Sequence, residues 1–170
     1  MLVYLDNAFI MKKILLGALL VSGLAGCVKG DDKQSCQYNE CGLVAPAAEV
    51  QAVQSYLSSN SITATQHCSG MFYKVDQPGN GATPSVCNVV VFNYKGKLTD
   101  GTVFDSTSTT PLTYELSRLV TGFKNGLPLI KTGGKVTLYI PPTLGYGSLQ
   151  QGPIPANSIL IFNVELLGVQ

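Results

Sequence analysis

From Gly70 onward the pattern of apolar and polar positions in this chain is predominantly of the β type. Val86 to Leu98 is the longest run, with Val89, Val91 and Asn93 on one face and Val90, Phe92 and Tyr94 on the other. Shorter β-type runs are Met71 to Val75, Thr102 to Phe104, Leu112 to Leu116, Lys135 to Ile140 and Ile159 to Leu167. Thr99-Asp100-Gly101 reads as a hairpin turn and Pro78-Gly79-Asn80-Gly81 as a second turn. A helical period appears twice. Ala47 to Ser58 carries Val50, Val53, Tyr56 and Leu57 at helical spacing behind Pro46, and Asn60-Ser61 ends it. Arg118 to Ile130 places Val120, Phe123 and Leu127 on one face, while Gly122, Gly126 and Pro128 keep that helix short. The expectation is an α+β domain: an antiparallel sheet of about five strands with one short helix laid across it and another helix in front. One sheet face meets the helix and the other meets solvent. The segments Asp105 to Pro111 and Pro141 to Ala156 are irregular and could frame the mouth of a pocket between helix and sheet.

The first residues have a different pattern. Met11-Lys12-Lys13 opens an apolar run, Ile14 to Val21, that is too short to span a bilayer comfortably and suits the core of a signal peptide. Leu24-Ala25-Gly26-Cys27 resembles a bacterial lipobox, which implies cleavage before Cys27 and lipidation of its thiol. Met11 is the better start. Val28, where an Asp is missing, implies sorting to the outer membrane on the periplasmic side. The organisation expected is a signal peptide over residues 1–26, a lipidated tether over 27–45, a helix and linker over 46–68, and a domain over 69–170.

Composition narrows the function. The chain has 170 residues, and beyond Cys27 nine basic residues face nine acidic ones. That balance offers no counterion-release grip on nucleic acid. Eight Tyr and six Phe, with no Trp, suffice for one aromatic-lined pocket. Setting Cys27 aside leaves Cys36, Cys41, Cys68 and Cys87, an even number suited to an oxidising compartment. Of the three pairings, Cys36–Cys41 with Cys68–Cys87 is preferred, because the Pro78–Gly81 turn lets the chain reverse between the latter two. No Cys-x-x-Cys is present and His67, taken as an exposed linker residue, is the single histidine, so zinc and thiol redox chemistry are disfavoured. No nucleophile elbow, phosphate loop or dinucleotide fingerprint occurs.

The order of several motifs resembles the FKBP-type peptidyl-prolyl cis/trans isomerase family. Val91-Phe92-Asn93-Tyr94-Lys95-Gly96-Lys97-Leu98 with Asp100-Gly101 and Val103-Phe104-Asp105-Ser106 is similar to its opening motif. Leu119-Val120-Thr121-Gly122-Phe123 resembles the helix that floors its pocket, Leu144-Gly145-Tyr146-Gly147 and Ile154-Pro155-Ala156-Asn157 its rim loop, and Leu160 to Leu167 its last strand. The resemblance spans about residues 69–170 and implies an FKBP-like half-barrel around one short helix. It further implies an apolar pocket that isomerises X–Pro bonds without a cofactor or metal. Phe123 takes the floor position, usually Trp in the family, and Tyr94, Phe104 and Phe162 make aromatic walls. Leu119, Val120 and Ile154 add apolar contacts, and Leu112 stands where better-known members have Phe. Leu144 replaces a common aromatic. Asp105 resembles the buried carboxylate beside Tyr94, and Tyr146 the hydroxyl that donates to a substrate carbonyl. The implied partners are proline-containing polypeptides of the cell envelope and, through the anchor, the membrane. Two other readings stand beside the isomerase: a peptide-holding chaperone or adaptor using the same groove, and a purely structural envelope lipoprotein. Dimerisation through Ala47–Ser58 stays open.

Overall fold

A computed structural model describes residues 36–107 and 109–170. The expected signal peptide and the expected lipidation site at Cys27 lie outside the described residues. Helix α1 (Ala47–Ser59) is followed by β1 (Thr65–Gln66), β2 (Phe72–Gln77), β3 (Val89–Lys97), β4 (Val103–Ser106) and β5 (Leu112–Glu115). Helix α2 (Thr121–Gly126), β6 (Lys135–Ile140) and β7 (Leu160–Val169) complete the order. The sheet has seven strands, not about five, in the order β1-β2-β6-β7-β3-β4, with β5 also on β3 and every pairing antiparallel. The six β-type runs all form strands and β1 is added to them; β3 is long enough for one edge to take β5 against Val89–Phe92 and β4 against Lys95–Lys97. The two-residue β1 is too short to carry a hydrophobic period.

The period of two explains the layers. Val136, Leu138 and Ile140 of β6, with Leu160, Phe162, Val164 and Leu166 of β7, point into the main core shared with Phe123 and Leu127. Glycines set the approach of α2: a Cβ on Gly126 would stand 2.5 Å from Leu138 Cδ2, and one on Gly122 would collide with Ile140. Pro128, which has no N–H to donate, follows at once, and the chain tightens into a 3₁₀ turn at Leu127–Leu129.

The opposite face of the sheet is not wholly left to solvent. Val53 and Leu57 of α1 pack on Phe72, Tyr139 and Ile161 in a second apolar cluster. This explains why both faces of β6 are buried beyond Lys135. The stripe predicted from the helical period is therefore seated on the chain's own sheet. No helix among the described residues is long and apolar enough to cross a membrane.

The cysteines pair differently from the expectation. Cys36 bonds Cys87 and Cys41 bonds Cys68, with Cα separations of 5.8 and 5.6 Å. The Pro78–Gly81 turn does not bring residue 87 back to residue 68. It runs beside the 131–134 turn instead, with Lys131 N–H donating to Pro78 O and Asn80 and Gly81 N–H donating to Thr132 O. Residues 36–45 thus form a strap bonded to the domain rather than a free tether, and Ala45 N–H donates to Ser69 O. Under the strap His67 is buried, not exposed; its Nδ1 meets Ser69 Oγ at 2.9 Å.

Candidate functional site

A cavity of about 480 Å³ opens between α2, the inner face of the sheet and the loop before β7. Its lining includes all ten residues singled out as pocket residues: Tyr94, Phe104, Asp105, Leu112, Leu119, Val120, Phe123, Tyr146, Ile154 and Phe162. Phe123 is the third residue of α2, its N–H donating to Val120 O at 2.9 Å in the first turn, and is 5% exposed. Tyr94 comes from β3, Phe104 and Asp105 from β4, Leu112 from β5 and Phe162 from β7.

The aromatic rings meet edge to face. Phe123 and Phe162 have centroids 4.8 Å apart at 80°, Phe104 and Phe162 5.4 Å at 83°, and Tyr94 and Phe123 6.4 Å at 88°. Gly96 makes this corner possible, since a Cβ there would stand 2.5 Å from Phe104 Cε2 and 2.8 Å from Phe162 Cε1.

The polar groups sit at the mouth. Asp105 is exposed rather than buried, because β4 is an edge strand beside the opening. Its Oδ2 accepts the Tyr94 hydroxyl and its Oδ1 accepts the Ser106 N–H at 2.8 Å. Burial, then the hydrogen bond to Asp105, pushes the Tyr94 hydroxyl well above the usual tyrosine pKa. Burial and the nearby Asp105 charge also raise Tyr146, which keeps its hydroxyl protonated as a donor. Tyr94 is thus engaged with Asp105, whereas the Tyr146 hydroxyl has no protein partner among the described residues.

The loop carrying Tyr146 is held at several points. Gly147 N–H donates to Pro142 O at 2.8 Å, Asn157 N–H donates to Gly147 O at 2.8 Å, and Gln151 and Ile154 exchange two backbone bonds of 2.9 Å. That exchange turns Pro153 and Ile154 inward. Leu144 is fully buried in the main core and does not line the cavity.

Four further lining residues escaped the sequence reading: Phe92, Tyr114, Gln151 and Pro153. The signal for two of them was present. Phe92 lies two residues before Tyr94 on β3, and Tyr114 two after Leu112 on β5, so each shares the inward face of its neighbour. Gln151 and Pro153 depend on the loop's own turn, for which no period exists.

Comparison with known proteins agrees with this geometry. The model of the family described as FKBP-type peptidyl-prolyl cis-trans isomerase matches residues 81–167. The FKBP-type peptidyl-prolyl cis-trans isomerase FkpA of Aeromonas hydrophila is 33% identical over 186 aligned positions, covering 98% of this chain and 66% of that protein. FkpA of Escherichia coli strain K12 is 46% identical over 103 residues, 59% of this chain and 38% of that one. The chain therefore spans less than two thirds of the length of these curated relatives. Among solved structures, the crystal structure of Escherichia coli FkpA superposes with a TM-score of 0.66 at 40% identity, covering 73% of this chain and 61% of that one. A peptidyl-prolyl cis-trans isomerase from Pseudomonas syringae pv. tomato gives 0.64 at 29% identity, covering 76% of this chain and 99% of that one.

Proposed function

The chain belongs to the FKBP-type peptidyl-prolyl cis-trans isomerase family, and from that premise we propose that its aromatic pocket isomerises X–Pro bonds of envelope polypeptides. The observation that carries the reading is the edge-to-face cluster of Phe123, Phe162, Phe104 and Tyr94, open to solvent beside an unpartnered Tyr146 hydroxyl.

Rotation about a peptide C–N bond meets a barrier of roughly 18–20 kcal/mol because amide resonance is lost. The planar imide is more charge-separated than the twisted one. An apolar pocket that strips water from it destabilises the planar form more than the twisted form. Phe123 would receive the prolyl ring, with Phe104, Phe162, Leu112, Leu119, Val120 and Ile154 around it. Tyr146 would donate to a carbonyl of the substrate backbone and hold the chain while the bond turns. Asp105 would orient Tyr94 and serve as no general base, since no covalent bond forms. No cofactor is required.

The location belongs to the same proposal. A cleavable leader, a lipobox-like Leu24–Cys27 and two disulfides in the folded part together favour an envelope lipoprotein that works in an oxidising compartment. The test is cis-to-trans conversion of a short X–Pro peptide by the full chain, beside Phe123→Ala and Tyr146→Phe. Acceleration by the parent that falls in Phe123→Ala, and less in Tyr146→Phe, is expected. A folded parent with no acceleration leaves peptide holding as the reading. Lipid labelling that disappears in Cys27→Ser tests the anchor.

A further inference from the structure

Asp105 is the single formally charged residue in the lining of the cavity among the described residues. The surrounding chain makes this isolation unusually complete. No charged residue lies between Asp105 and Glu115, which covers the link from β4 to β5 and β5 up to its last residue. None lies between Lys135 and Glu165, which covers the whole loop of Tyr146 and Ile154 and most of β6 and β7. The cations nearest along the chain, Lys95 and Lys97 of β3, flank Gly96, whose missing Cβ faces Phe104 and Phe162; they lie on the opposite face of the strand and outside the cavity lining. Further along, Arg118 is engaged with Glu115 at 2.7 Å and Lys135 with Glu165 at 3.2 Å. Lys124, the one charged residue of α2, stands 5.7 Å over the ring of Tyr38.

The Asp105 carboxylate has no cationic partner among the described residues. It is exposed at the mouth, with one oxygen on the Tyr94 hydroxyl and the other on the Ser106 N–H. A carboxylate oxygen can accept two hydrogen bonds, so each retains capacity toward an incoming donor. The low-dielectric aromatic wall on one side weakens the screening that a fully solvated carboxylate would feel.

We propose that Asp105 is a specificity-determining residue that makes this pocket favour proline segments with lysine or arginine next to the proline over those with glutamate or aspartate. The inference rests on the isomerase reading of the same pocket and adds its substrate class. A cation beside the bound proline meets one unpaired negative charge, and an anion meets repulsion with no lysine or arginine in the lining to relieve it.

The experiment uses the full disulfide-bonded chain and peptides with Lys, Gln or Glu immediately before proline, and a second set with the same residues immediately after it. At low ionic strength kcat/KM for Lys should exceed that for Glu by about 3–10-fold in at least one set, with Gln between. The ratio should fall toward one in Asp105→Asn and in about 1 M salt, where screening acts within a few ångströms. Asp105→Glu, which keeps the charge, should keep the preference. Equal rates for Lys and Glu in both sets, or a ratio that survives Asp105→Asn, overturns the proposal. Turnover of the Gln peptides reports separately on the isomerase reading. If no peptide turns over, the same ratios read from NMR binding titrations decide the charge preference on their own.

Discussion

The carboxylate of Glu49 holds Thr143 by two bonds, accepting its N–H at 2.8 Å and its hydroxyl at 2.7 Å across 94 positions of sequence. Glu49 lies in the first turn of α1 and Thr143 in the 3₁₀ turn Pro142–Leu144, three residues before Tyr146. The front helix and the loop of the pocket hydroxyl are therefore one connected unit.

Removing that link should loosen the loop. Glu49→Ala leaves the Thr143 N–H without its partner and should cost about 1–3 kcal/mol of stability. Urea denaturation measures this, and peptide isomerisation should fall with it. Glu49→Gln, which can still accept one bond, should lose less on both counts.

The pocket floor predicts opposite effects for two substitutions. Phe123→Ala removes a ring packed on Phe92, Tyr94 and Phe162 and should cost about 3–5 kcal/mol, with turnover largely lost. Phe123→Trp extends the floor into an open cavity, and should tighten binding of proline peptides several-fold by titration. Weaker binding by a stable Phe123→Trp protein would show that the floor is shaped for Phe.

Much of this pocket was legible because ordered motifs sit on segments whose strand and helix character the sequence also carries. Alternation put Phe92 and Tyr94 on one face of their strand, the ordered family motifs implied Tyr94, Phe104 and Phe162 as pocket walls, and Gly122, Gly126 and Pro128 announced a short α2. What sequence periods could not supply was set by distant parts of the chain. The seat of α1 on Phe72, Tyr139 and Ile161, the burial of His67 and the exposure of Asp105 all depend on which element lies over which. The cysteine pairs failed for the same reason: a turn at Pro78–Gly81 says that the chain bends, not what it bends toward.

Alkaline pH should destabilise the fold in a way traceable to Tyr94. Its folded-state pKa lies above the reference value of 10.0, so the stabilisation is fully present below about pH 10 and is lost as pH rises beyond it. Thermal midpoints between pH 8 and 11.5 should fall more steeply for the parent than for Tyr94→Phe. Parallel profiles would count against a Tyr94 contribution.

The disulfide pairing can be checked directly. Non-reducing peptide mapping should yield Cys36 linked to Cys87 and Cys41 linked to Cys68. The outer bridge closes a sequence separation of 51, and Cys36→Ser with Cys87→Ser should lower stability by about 4 kcal/mol.

The outer bridge also determines how the domain would respond to a pull. If Cys27 anchors the chain to a membrane, tension on the leash reaches Cys36 first and passes through a covalent bond to Cys87, two residues before β3. The length from 37 to 86, which includes α1 and Glu49, is bypassed by the load. The domain would then hang from the strand that carries Tyr94, and the pocket loop would feel none of the strain of its mooring.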